Sequence, residues 1–167
     1  MKNSGSLTIT TPSDREVAFT RVFNAPRRLV FDAYTKCEYL KKWLGVMPGW
    51  SWDVCKVDLK VGGSYRWVWR NDTGAQMGMG GVYREIVTNE RIVATEKFDE
   101  SWYEGEALDT TTFVESDGRT TLTIVVEYGS KEIRDSVLES DAASGMNAGF
   151  DNLEALLASL TTAGART

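Results

Sequence analysis

Tyr65, Trp67 and Trp69 alternate with Arg66, Val68 and Arg70 in the stretch S-Y-R-W-V-W-R-N. In a β-strand this spacing places three large rings on one face and Arg66, Val68 and Arg70 on the other. Such a face either packs as core or forms the wall of a cavity, where a tyrosine hydroxyl or an indole N–H supplies the polar handle. The residue types alone leave both readings open. Glu96 is the second candidate for chemistry. In I-V-A-T-E-K-F it shares strand parity with Ile92, Ala94 and Phe98, which turns its carboxyl toward an apolar interior. There its charged form is disfavoured, and the group can serve as a general acid or anchor a polar ligand atom. A bulge, a shifted register or an arginine partner would remove that effect. Tyr65 is the other candidate proton donor or acceptor.

The sequence contains no histidine. That removes the usual general base near neutral pH, the Ser-His and Cys-His nucleophile pairs, and the commonest metal ligand. The pairs Gly62-Gly63 and Gly80-Gly81 match neither a Walker nor a dinucleotide fingerprint, because no glycine-rich turn joins a strand to a following helix; they read as turn and bulge residues. No metal and no cofactor are expected.

At 167 residues, with 42% hydrophobic and 26% charged residues, the composition fits one globular domain that buries its own core. A net charge of −5 lacks the basic footprint of a nucleic-acid binder and argues against docking on anionic lipid. Cys37 and Cys55 belong to no C-x-x-C motif and are too few for a disulfide framework, so they read as reduced thiols packed as small apolar groups. With no export signal, no disulfide pattern and no membrane-length apolar run, the expected location is the cytoplasm.

These residues need elements to position them. Residues 1–6 read as a tail, 7–160 as one domain and 161–167 as a loose C-terminus. Strands are expected at Leu7–Thr10 and Arg15–Phe23. Two short helices follow, Pro26–Thr35, with Asn24 as cap, and Lys36–Trp43. Strands come next at Ser51–Leu59, Ser64–Asn71, Met77–Val87, Arg91–Phe98, Glu106–Ser116 and Arg119–Tyr128. The last two form a hairpin about Asp117-Gly118, a favoured two-residue turn. Parity does not decide whether Asp109, Thr111 and Phe113 or the alternate residues face inward. A helical piece starts at Ser130 or Lys131, with a kink at Gly145 or Gly149. Met146, Phe150, Leu153, Leu157 and Leu160 then mark one long amphipathic helix. The layout is α+β: a curved antiparallel sheet of six to seven strands around a long C-terminal helix.

Five stretches in this order carry a resemblance: R-V-F-N-A-P-R-R-L-V-F-D-A-Y-T, L-K-K-W, D-L-K-V-G-G-S-Y-R-W, G-G-V-Y-R-E-I-V-T-N-E-R-I-V and G-M-N-A-G-F-D-N-L. Together they resemble the helix-grip superfamily, also called START-like or SRPBCC, and within it the bacterial homologues of the activator of heat-shock-protein-ninety ATPase. Leu44 and Phe150 stand where that branch often carries tryptophan. The resemblance implies a cavity under the long helix, used by relatives for lipids, polyketides, hormones or other hydrophobic molecules. It also implies three roles: carrier, aromatase/cyclase enzyme and chaperone partner. The leading expectation is binding of a small hydrophobic or aromatic ligand, by a monomer or homodimer. Candidate contacts are Trp43, Trp52, Tyr65, Trp67, Trp69, Met79, Glu96, Trp102, Phe113, Met146 and Phe150. A cyclase-like enzyme using Glu96 or Tyr65 is the second expectation, and a chaperone-ATPase partner the third.

Overall fold

The computed structural model describes residues 6–101 and 103–165, apart from the side chains of 142 and 162–165. Its elements run β1 (Thr8–Thr10), β2 (Glu16–Phe23), α1 (Arg27–Thr35), α2 (Cys37–Trp43), β3 (Trp50–Val57), β4 (Ser64–Asn71), β5 (Gln76–Val87) and β6 (Arg91–Phe98). They end with β7 (Ala107–Ser116), β8 (Arg119–Glu127), α3 (Lys131–Glu139) and α4 (Ala142–Ala165). One antiparallel sheet has the order β1-β2-β8-β7-β6-β5-β4-β3. It is a meander from β3 to β8, with β2 returning beside β8. The sheet has eight strands, not the six to seven expected. This is the α+β helix-grip layout.

Local sequence accounts for most of the connections. Ser116 pairs with Arg119, and both turn residues between them have positive φ, Asp117 at 54° and Gly118 at 76°. That is the backbone a type I′ hairpin turn demands, and glycine adopts it at no steric cost. Bulges between Trp52 and Val54 and between Tyr83 and Glu85 shift the register and add local bend and twist.

Helix boundaries follow backbone rather than the expected caps. Pro26, not Asn24, begins α1, and its carbonyl accepts from Leu29 N–H at 3.0 Å. Asn24 is exposed and caps nothing among the described contacts. The C-terminal helical region breaks at Ser140, which is extended (φ −86°, ψ 174°), while Gly145 and Gly149 lie inside α4. The break is a real stop between α3 and α4 and not a glycine kink.

The largest charge buried in the core is Arg21 on β2, whose side chain is 0% exposed. It donates to the Asn147 carbonyl (3.2 Å), Asn147 Oδ1 (3.1 Å) and Asp151 Oδ1 (2.8 Å), with Glu154 at 3.6 Å. Its guanidinium also lies over the Phe23 ring, 5.4 Å from the centroid. This cluster fixes the middle of α4 to the sheet, while Phe150 packs edge-on against Phe23 at 5.6 Å.

Cys37 and Cys55 form a disulfide between α2 and β3, across a Cα–Cα distance of 6.0 Å. The reading of two reduced thiols is therefore corrected. Spacing along the chain carried no signal because the pair is made by the packing of a helix end on a strand. The cytoplasmic expectation rested partly on having no disulfide and loses that support. No helix among the described residues is long and apolar enough to cross a membrane. The cross-link closes a loop with a sequence separation of 18 residues. A loop of that order is worth about 3 kcal/mol through the entropy of the unfolded chain. Urea unfolding with and without a phosphine reductant should show the reduced protein less stable by about that amount; coincident curves would remove the cross-link from the fold's energetics.

Candidate ligand-binding site

Tyr65 is buried on β4 opposite Gly81 of β5. Glycine there lets the phenol cross β5 and reach β6, where its hydroxyl donates to the Thr95 carbonyl at 2.7 Å. A Cβ at position 81 would run into that same carbonyl. The Thr95 hydroxyl accepts from Val82 N–H at 2.9 Å, so a side chain satisfies a strand amide. Burial pushes the Tyr65 hydroxyl far above its ordinary pKa, and the negative charges of Asp109 and Glu96 push it further. Its proton is thus held on a strut that braces three strands.

The other candidate aromatics divide into packed and half-buried rings. Trp43 donates from Nε1 to the Ala33 carbonyl at 2.9 Å, and its ring lies between Tyr34 (5.1 Å) and Phe150 (6.2 Å). Phe113 meets Phe31 edge-on at 5.4 Å. Trp69 is buried against Trp52 at 4.7 Å, with Nε1 turned to the Gly45 backbone and no acceptor. Trp52 is half-buried and donates to the Leu44 carbonyl at 2.9 Å. Trp43, Phe113 and Phe150 are core. Trp67, Met79 and Met146 are inward but only half-buried. Trp67 lies 4.7 Å from the Tyr65 ring, and its Nε1 is shielded from solvent without an acceptor. Trp102 lies outside the described residues.

Pairing across β6 and β7 decides the parity that sequence left open. Ala94 is opposite Asp109 and Glu96 opposite Ala107, while Ile92, Ala94, Ala107, Thr111 and Phe113 are buried. Asp109 and Glu96 therefore occupy diagonal positions on the inner face, within reach of each other. Burial raises the Asp109 carboxyl well above the ordinary carboxylate range, and the charge and hydrogen bond of Glu96 raise it further. Asp109 Oδ1 is shielded from solvent and receives no donor from the described residues. Burial and the neighbouring Glu96 charge therefore both favour the neutral form of the Asp109 carboxyl. Tyrosines surround it: Tyr34 from α1, Tyr65 from β4, Tyr103 before β7 and Tyr128 after β8. Burial raises each hydroxyl, that of Tyr103 to about 12, and Asp109 and Glu96 add to the shift in all four.

The outer side of the sheet is different in kind. One groove of about 520 Å³ runs along Arg66, Gly80, Lys97, Phe98 and Asp99. Arg66 and Asp99 form a forked ion pair across Gly78, both ends more than two-fifths exposed. Exposed pairs of this kind contribute little.

The family model described as "Activator of Hsp90 ATPase homolog 1-like protein" matches residues 24–158. The chain belongs to this family. A crystal structure of a Rhodobacter sphaeroides protein is similar at 29% identity with a TM-score of 0.86, covering 92% of this chain and 98% of that one. Protein CV1439 from Chromobacterium violaceum is similar at 29% identity and a TM-score of 0.70, covering 85% and 96%. Protein Ms6760 from Mycobacterium smegmatis, at 23% identity, a TM-score of 0.77 and coverage of 91% and 97%, shares the fold. No curated protein matches at a significant level. Proteins of this family's fold commonly bind ligands in a cavity.

In this family member, sequence alone singled out Glu96 as a candidate without placing Asp109, Tyr34, Tyr103 and Tyr128 beside it. The signal for Asp109 was an acid between Leu108 and Thr110 in a strand rich in threonine, which becomes informative only once β6 fixes its face.

The raised carboxyl has a stability consequence with a definite sign. Asp109 releases its proton at a lower pH when unfolded, so between the ordinary carboxylate pKa and its raised value the native state binds more protons and stability falls as pH rises. Glu96 and the four tyrosines are the titratable groups facing it. Asp109→Asn should therefore raise the melting temperature at pH 7–8, with the gain vanishing near pH 4. An equal shift at both pH values would show that Asp109 is not held protonated.

Proposed function

We propose that the chain binds a small, largely apolar or aromatic ligand between the concave face of the sheet and α4. The observation that carries this reading is the unpartnered indole N–H of Trp67, buried beside half-accessible inward side chains. Buried polar groups are nearly always paired, and an orphan costs roughly 1–3 kcal/mol, so a ligand acceptor is the natural partner. Met79, paired with Trp67 across β4 and β5, and Met146, half-buried on α4, are side chains that adapt to irregular shapes. Ring faces supply the apolar area, and few polar groups fix orientation, as in most small-molecule sites. Candidate contacts from the sequence divide accordingly: Trp67, Met79, Glu96 and Met146 for the ligand, with Trp43, Phe113 and Phe150 as the packed floor behind them.

A second reading, acid–base chemistry on a bound substrate, has one observation in its favour: Glu96 and Asp109 lie diagonally across β6 and β7 on the inner face, where burial raises the Asp109 carboxyl. The Tyr65 hydroxyl serves it less well, being engaged by Thr95.

Tryptophan fluorescence titrated with flavonoids, fatty acids, polyketide-like aromatics and sterols tests the binding reading. A saturable change with one class, weakened tenfold or more in Trp67→Leu while thermal unfolding stays cooperative, is expected. No saturable response from any class would overturn it.

A further inference from the structure

We propose that the Glu96–Asp109 pair makes this site select an amine, an aromatic or short alkyl body carrying one ammonium group, over carboxylate and neutral analogues. The inference rests on the binding reading above and specifies its ligand class.

Three observations lead there. Glu96 and Asp109 face each other diagonally across β6 and β7 on the buried side of the sheet, and no described donor reaches Asp109 Oδ1. The charges that act on Asp109, Tyr34, Tyr65, Tyr103 and Tyr128 all come from acids or from other tyrosines, with no lysine or arginine among them. The two arginines buried among the described residues are engaged elsewhere, Arg21 on α4 and Arg134 with the Ser13 and Glu16 carbonyls. Among the described residues the site is therefore acidic without a cation of its own. Around it stand aromatic rings: Tyr34 packs between Trp43 and Phe113, and Tyr103 meets Tyr128 edge-on at 5.9 Å.

An ammonium ion supplies what this arrangement lacks. It brings a positive charge within reach of both carboxyls, up to three donors of which one can serve Asp109 Oδ1, and a partner for ring faces. A hydroxyl brings a donor without the charge. A carboxylate brings a like charge into a site that already strains to hold one. Binding the cation favours the ionised Asp109 carboxylate, so the proton that burial holds on Asp109 leaves as the amine enters. Amine affinity should consequently rise with pH from 6 to 8, while that of a neutral analogue stays flat.

The test compares tryptamine, indole-3-ethanol, indole-3-acetate and unsubstituted naphthalene by isothermal titration calorimetry on the full chain. Titrations in two buffers of different ionisation enthalpy read the proton released. The expected result is tryptamine binding at least tenfold tighter than the alcohol or the acid, with net proton release. That preference and the release should both be lost in Asp109→Asn and reduced in Glu96→Gln, with cooperative melting retained in each. Equal binding of all three indoles, or tryptamine affinity unchanged in both variants, would overturn the amine proposal. Binding of naphthalene without amine preference would do so while leaving the ligand-site reading intact. No binding by any of the four, naphthalene included, would remove both.

Discussion

Arg21 is the interaction on which the rest of the structure depends. A long helix laid over a concave sheet has many near-equivalent positions, because apolar contact has no direction. A guanidinium with no exposed surface that donates to Asn147 and Asp151 has one. Burying the charge is costly, and its acidic partners recover part of that cost by staying at the solvent edge, Asp151 with 63% of its side chain exposed. The same contact fixes the middle of α4 against β2. Close packing of Phe150 on Phe23 and Trp43 follows on one side of that anchor. The half-buried face of Trp67, Met79 and Met146 follows on the other.

A second constraint shapes that face. β5 carries glycine where Tyr65 crosses it, and the phenol pins β4 to β6 through the Thr95 carbonyl. The strand in between loses a side chain and, at Val82, a backbone partner, which Thr95 replaces with its hydroxyl. The bulge at Tyr83–Glu85 follows within a few residues. Bending and bracing thus occur in one place, and they bring the inner ends of β4 and β6 toward each other. Tyr65 and the Glu96–Asp109 pair are close enough to influence one another because of it.

Much of this was legible in sequence where local physics decides. The alternation of Ser64–Asn71 gave β4 its bounds, Arg91–Phe98 gave β6, and Asp-Gly at 117–118 gave its turn. The reading failed where the deciding partner is distant in the chain. Cys37 and Cys55 are joined by the packing of α2 on β3, which no spacing encodes. Ser140 ends α3 without the proline or glycine that usually marks a stop. Asp109 could be placed on a face only through its pairing with Ala94. Glu96 could be singled out because its neighbours on alternate positions are apolar; Asp109 sits among threonines, which are at home on either face of a strand.

Packing alone does not account for Asp109. Its face is otherwise Ala107, Thr111 and Phe113, all buried, and an apolar residue or a threonine there would extend the core with no desolvation cost. A lone acid so placed would be held neutral by its surroundings. A second acid beside it makes the ionised pair harder still to form, and no basic side chain offsets either. Such an arrangement stabilises nothing in the free protein. It becomes favourable when a positive charge arrives from outside. Stability forgone at Glu96 and Asp109 is therefore available as selectivity, since the penalty that the pair carries when empty is the one that a cationic ligand relieves and an anionic ligand increases.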